Sequence, residues 1–97
     1  MRIIAKKTLR IFWEKHPDSE QPLKAWHKEA KRANWKNFSD IKSFFRSASI
    51  IGNDRVVFNI KGNNYRLVVR VDFEWQALFI KFIGLHKDYD RINSKNI

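Results

Sequence analysis

Cysteine is missing from the 97 residues altogether, proline occurs twice, glycine three times, and acidic residues number only ten. Without cysteine there can be no disulfide staple, thiolate metal site or cysteine nucleophile, and nothing points to an oxidising compartment. The few glycines form no phosphate-cradling loop, and no Ser-His-Asp pattern is present. His16 and His27 have no carboxylate or second imidazole at ligand spacing, so a zinc site is not expected and both are assigned to surface or cap positions. No apolar run approaches the length of a membrane span, and the opening M-R-I-I-A-K-K becomes charged too early for a signal core. A cytoplasmic protein without membrane contact or cofactor is the expectation.

Basic charge is abundant. Twenty Lys and Arg against ten Asp and Glu give a net charge of +10, which favours polyanionic partners through counterion release. Nucleic acid is the leading candidate. With 43% hydrophobic and 14% aromatic residues the chain has the composition of a globular protein, and its length suits a single domain over residues 1–97. The large rings help a small core offset chain entropy.

Ile3 and Ile4 suggest a short strand from Arg2 to Ala5. Leu9, Phe12 and Trp13 recur at helical spacing over Lys6 to Lys15, until His16-Pro17-Asp18 interrupts them. A second helix, capped by Asp18 or Ser19 with Pro22 in its first turn, carries the apolar stripe Leu23, Trp26, Ala30 and Ala33. Its other side is basic through Lys24, Lys28, Lys31 and Arg32. Ser39 is the expected cap of a short helical turn through Ile41, Phe44 and Phe45, and Gly52-Asn53-Asp54 is expected as a loop. From Arg55 onward β-branched and aromatic residues dominate, which predicts three antiparallel strands: Val56 to Ile60, Tyr65 to Phe73 and Leu78 to Ile83. Lys61-Gly62-Asn63-Asn64 suits a tight Gly-first hairpin turn, and Glu74-Trp75-Gln76-Ala77 suits a second short turn. Residues Ser94 to Ile97 are expected to fray. The order defines an α+β fold: an N-terminal strand and two helices packed on an antiparallel sheet, then a short C-terminal helical segment.

A Gly62-Asn63 turn places Ile60 opposite Tyr65, Phe58 opposite Leu67 and Val56 opposite Val69, so one face is wholly apolar and must meet the helices. On the other face Asn59 faces Arg66 and Arg55 faces Arg70. A two-residue second turn would add Lys81 beside Arg70. Val57, Val68, Phe79 and Ile83 share that face, which calls for partial cover by the C-terminal segment. The third strand runs directly into His86, Lys87, Tyr89 and Asp90, where helical spacing lets His86, Tyr89 and Asp90 share a side.

Cations beside a titrating imidazole suit phosphodiester cleavage in RNA. The ribose 2′-hydroxyl loses its proton and attacks phosphorus, and the 5′-oxygen leaves as it gains one. Arg66, supported by Lys81 or Arg70, is placed to stabilise the phosphoryl charge. His86 is the candidate for proton transfer, Tyr89 for a second hydrogen-bonding or stacking group, and Asp90 for orientation. Asn59, Lys61, Asn63, Arg70, Lys87 and Asp90 are candidate RNA contacts. Trp26, in a helical apolar stripe, is assigned to the core, Trp35 is left as a candidate for base stacking, and Trp75 at a turn tip is free to meet RNA or the antitoxin or to cover a sheet end.

The segments F-N-I-K-G-N-N-Y-R-L, Phe58 to Leu67, and F-I-G-L-H-K-D-Y-D, Phe82 to Asp90, resemble the HigB toxins, mRNA interferases with a RelE-like fold. The resemblance extends over nearly the whole chain in length, charge and element order. It implies a RelE-like fold, ribosome-associated mRNA cleavage without a metal, and neutralisation by a HigA-type helix-turn-helix antitoxin, with operator DNA reached only through that antitoxin. Leu85 departs from the family pattern, in which a small hydroxylated residue precedes the histidine, so no hydroxyl assists there. Two other classes compete. A non-enzymatic RNA-binding module would use the same basic sheet and calls for exposed aromatics, of which this register supplies only Phe79. A DNA-binding regulator lacks a helix-turn-helix.

Overall fold

A computed structural model describes Met1–Ile97. The apolar stripes at helical spacing become helices α1, Lys6–Lys15, and α2, Glu20–Arg32. Pro17 ends the first run and opens a 3-10 turn, Pro17–Ser19, between them. The second helix is not capped by a side chain from Asp18 or Ser19: the Ser19 hydroxyl donates back to the His16 carbonyl at 2.7 Å. The short helix α3, Phe38–Phe44, is capped by Asn37, whose side chain accepts the Asp40 N–H at 2.9 Å, and not by Ser39.

Five strands form one sheet: β1 Arg2–Ile4, β2 Ser49–Gly52, β3 Arg55–Ile60, β4 Tyr65–Asp72 and β5 Ala77–Leu85, in the order β1-β5-β4-β3-β2. The three C-terminal strands form the expected meander. Two edges complete it: β1 pairs in parallel with β5, and β2 pairs antiparallel with β3. A last helical turn, α4, His86–Tyr89, follows β5 directly.

The inner face of the sheet meets the helices. Leu9, Trp13, Leu23, Trp26 and Ala30 pack on Val56, Phe58, Ile60, Leu67, Val69, Val71 and Leu78 in one buried cluster. Phe58 joins the layers, with edge-to-face contacts to Trp26 and Phe45 at centroid distances of 5.3 and 5.2 Å. Trp26 is in the core as expected, and Trp35 is buried as well, which removes it as a base-stacking surface.

The β3–β4 hairpin has the expected register, Ile60 with Tyr65 through Arg55 with Arg70. Gly62 sits at φ 63° in a turn closed by the Asn64 N–H on the Lys61 carbonyl, and Lys61 also has positive φ. The second connection departs from expectation. Phe73 to Gln76 form a four-residue loop, so Asp72 pairs with Ala77 and Arg70 faces Phe79 rather than Lys81. Lys81 is the extra residue of a β-bulge between the pairs Val69–Ile80 and Val68–Phe82. The bulge inverts the alternation beyond it. Ile83 therefore pairs with Leu67 and packs against the core, and Phe82 takes the outer face assigned to Ile83.

The last residues are held, not frayed. The Arg55 guanidinium donates to the Ile97 carbonyl, and the Asn53 side chain donates to that of Lys95 at 3.1 Å. On the outer face Val57 and Val68 are buried, as partial cover of that face requires.

Candidate nucleic-acid interface

Cross-strand pairing puts Asn59, Arg66 and Gly84 side by side on the outer face of β3, β4 and β5. Glycine at position 84 leaves one side of Arg66 without a neighbouring Cβ. The Arg66 guanidinium donates to the Asn63 carbonyl in the hairpin turn at 3.2 Å, which draws it to the turn end of the sheet. Asn59, Gly62, Asn63 and Ser47 line a recess of about 380 Å³ there.

His86 begins α4 two residues after Gly84, at the same end of the sheet. Its Nδ1 lies 3.1 Å from Asp90 Oδ2 across one helical turn. An ionised carboxylate only accepts, so Nδ1 carries the proton in the neutral ring and Nε2 keeps a free lone pair. Both side chains are more than half exposed. Tyr89 is oriented differently, with its hydroxyl 3.5 Å from Ser94 Oγ in a half-buried position. Lys87 is exposed on the same turn.

The other candidates are dispersed. Arg70 lies four residues along β4 from Arg66, roughly 13 Å at the rise of a strand. Its guanidinium stacks on the Phe79 ring at 4.3 Å. Lys81 is exposed at the bulge. Lys61 turns away from the sheet face to form an ion pair with Asp18 at 2.8 Å. The buried Tyr65 donates its hydroxyl to the other Asp18 oxygen at 2.5 Å. These two bonds hold the Asp18 carboxyl below its ordinary range, and the facing carboxylate pushes the Tyr65 phenol up. Nothing in the sequence spacing reveals this link, because 43 residues separate Asp18 from Lys61. No group of three or more imidazoles and carboxylates comes together anywhere.

A basic sheet face half covered by the C-terminal segment, backed by helices and ending in a histidine turn, is the build of a RelE-like toxin. Residues 19–92 match the family model described as HigB toxin, RelE-like toxic component of a toxin-antitoxin system. The mRNA interferase toxin HigB of Escherichia coli (strain K12) is 32% identical over 92 residues, covering 93% of this chain and 88% of that protein. The mRNA interferase HigB of Shigella flexneri matches to the same extent. A further mRNA interferase HigB, from Escherichia coli O6:H1, is 23% identical over 94 residues, 95% of this chain and 91% of that protein. The chain belongs to the HigB toxin family.

Proposed function

We propose that this toxin is an endoribonuclease that cleaves mRNA on the ribosome, in the cytoplasm, by metal-independent attack of a ribose 2′-hydroxyl. The observation that carries it is the placement of Arg66, flanked by Asn59 and Gly84, and of the His86–Asp90 pair at one end of the sheet. Relatives of similar length bear the name mRNA interferase, which supports the same chemistry.

In this scheme His86 Nε2 takes the 2′-hydroxyl proton, and Asp90 holds the ring and stabilises the imidazolium that results. The 2′-oxygen bonds to phosphorus. Charge on the non-bridging oxygens is met by Arg66. The P–O5′ bond breaks, and the leaving oxygen takes a proton from Tyr89, Lys81 or Lys87. The products are a 2′,3′-cyclic phosphate and a 5′-hydroxyl. Asn59, Asn63, Arg70 and Lys87 contact the strand, with Lys61 at the hairpin edge. A HigA-type helix-turn-helix antitoxin neutralises the toxin and carries it to operator DNA. No helix is long and apolar enough to cross a membrane.

One observation favours a second reading, a non-enzymatic RNA-binding module: the bulge adds Phe82 to Phe79 on the outer face. His86→Gln separates the two, since it keeps a hydrogen-bonding group without a titrating proton. The assay maps mRNA 5′ ends on translating ribosomes, with ribosome pelleting and circular dichroism as controls. For the enzyme, pelleting persists while cleavage falls roughly a hundredfold or more. Arg66→Ala should likewise abolish growth arrest without unfolding. Cleavage by His86→Gln at the wild-type rate removes His86 from the mechanism, and a wild-type protein that never cuts ends the enzyme reading.

A further inference from the structure

At the pole opposite His86, where β5 begins, a cleft of about 780 Å³ opens between β1, α2 and the β4–β5 loop. Its lining includes Arg2, Lys6, His27, Lys31, Asn34 and Trp75, and no Asp or Glu. None of the three cations is in an ion pair: the Lys and Arg pairs in the protein are Arg10–Glu14, Lys24–Glu20 and Lys61–Asp18. Unpaired cations around a concave surface repel one another, and an anion removes that cost. Burial, then Lys6 and Lys31, lower the pKa of His27, which favours the neutral ring, so Arg2, Lys6 and Lys31 are the cleft's cationic side chains.

Trp75 supplies a second kind of contact. It is 66% exposed, whereas Trp13, Trp26 and Trp35 are 9% exposed or less. Its loop is fixed: the Trp75 N–H donates to Asp72 at 3.0 Å, and the Gln76 side chain donates to the Trp35 and Phe73 carbonyls at 2.7 and 3.0 Å. A rigidly mounted, solvent-facing indole beside cations is the combination by which proteins hold unpaired bases and their phosphates.

We infer that this cleft is a second RNA site, which takes a single-stranded segment with one unpaired base on Trp75 and its phosphates on Arg2, Lys6 and Lys31. The strand β5 separates it from the His86 end by eight residue steps, roughly 26 Å, so it is not a subsite of the cleavage centre. It does not depend on the chain's cutting RNA. A protein ligand for the same cleft would need an acidic segment, and stacking on Trp75 distinguishes the two.

The test uses the full chain and a short fluorescein-labelled 2′-O-methyl oligoribonucleotide, which has no 2′-hydroxyl to attack and so reports binding whether or not the protein cleaves. Tryptophan emission should be quenched on titration in the wild type and not in Trp75→Ala. Trp75→Ala should raise Kd about tenfold, within the range for losing one base stack, and Trp75→Phe should keep most of the affinity. Lys6→Ala with Lys31→Ala should also lower the slope of log K against log salt by about 1.4, two phosphate contacts at roughly 0.7 each. A duplex of the same sequence should bind without any effect of Trp75→Ala. Unchanged Kd and salt slope in both sets of variants overturn the inference. So does loss of antitoxin binding with RNA binding intact, which makes the cleft a protein interface.

Discussion

Gly84 stands on the outer face of β5 opposite Arg66, and the ring of Phe82 lies back over it. A Cβ added at Gly84 would come within 2.5 Å of Phe82 Cζ and 3.1 and 3.2 Å of the two Cε atoms. These are ring atoms at the end of a side chain, not backbone, so the ring must swing aside. Overpacking of this kind costs about 1–3 kcal/mol. Against it stands about 0.5–1 kcal/mol gained by removing the excess unfolded-state freedom of a glycine, since φ at Gly84 is not positive and alanine can adopt it. Gly84→Ala should therefore destabilise the protein, by about 1 kcal/mol within a span of about 0–2.5 kcal/mol. In a Phe82→Ala background the obstacle is gone and only the gain remains, so the same substitution should stabilise by about 0.5–1 kcal/mol.

The change of sign is the test. Urea unfolding of the four proteins of the cycle, followed by circular dichroism with a common slope, gives the coupling energy directly. If Gly84→Ala costs the same with and without the Phe82 ring, the close approach is not why glycine stands there. Growth arrest adds a second reading of the same contact: a ring driven from Gly84 moves within the surface beside Arg66, so Gly84→Ala should weaken the toxin more than its stability loss explains.

Two further outcomes follow from the geometry. The Asp18–Lys61–Tyr65 link should contribute fully between about pH 4 and pH 10. The Asp18 carboxyl, held below its ordinary 3.8, gives stability that is lost as pH falls through the folded value, and the Tyr65 phenol, raised above 10.0, gives stability lost as pH rises through its own. Asp18→Asn should flatten the acid limb of a stability–pH profile measured by thermal unfolding, and an unchanged limb refutes the link. Deleting Lys81 leaves the pairs Val69–Ile80 and Val68–Phe82 intact and should preserve cooperative unfolding, whereas deleting the paired Ile80 should not.

What the sequence conveys about this fold follows the range of the interactions. The stripes Leu9–Phe12–Trp13 and Leu23–Trp26–Ala30 and the hairpin at Gly62 are local patterns, and each element forms where its pattern lies. The cap of α3 goes to Asn37 because its amide reaches the Asp40 N–H, a choice between two equally suitable residue types that composition does not decide. The strand β2 escapes notice because Ser49–Gly52 is short and ends in the turn residues that mark it as a loop. Its existence depends on pairing with β3, and β1 likewise depends on β5, which it reaches only after the rest of the chain has folded back.

The site divides along the same line. Asn59 opposite Arg66 is fixed by a tight turn, and His86 with Asp90 by one turn of helix, so both are legible without a structure. Lys81 is not, because a bulge leaves no mark in composition: one extra residue between two paired stretches changes every assignment after it while the hydrophobic pattern on either side stays regular. The expected outer position of Ile83 is the consequence, and its core position opposite Leu67 reveals the slip. The bulge also explains how both ends of β5 are served. Before it, Leu78 and Ile80 face the helices; after it, Ile83 and Leu85 do, and the switch leaves Phe82 and Gly84 outward where Arg66 lies. An unbroken alternation from Leu78 would have put Gly84 in the core and Ile83 beside the arginine, in place of a glycine over which the Phe82 ring can fold.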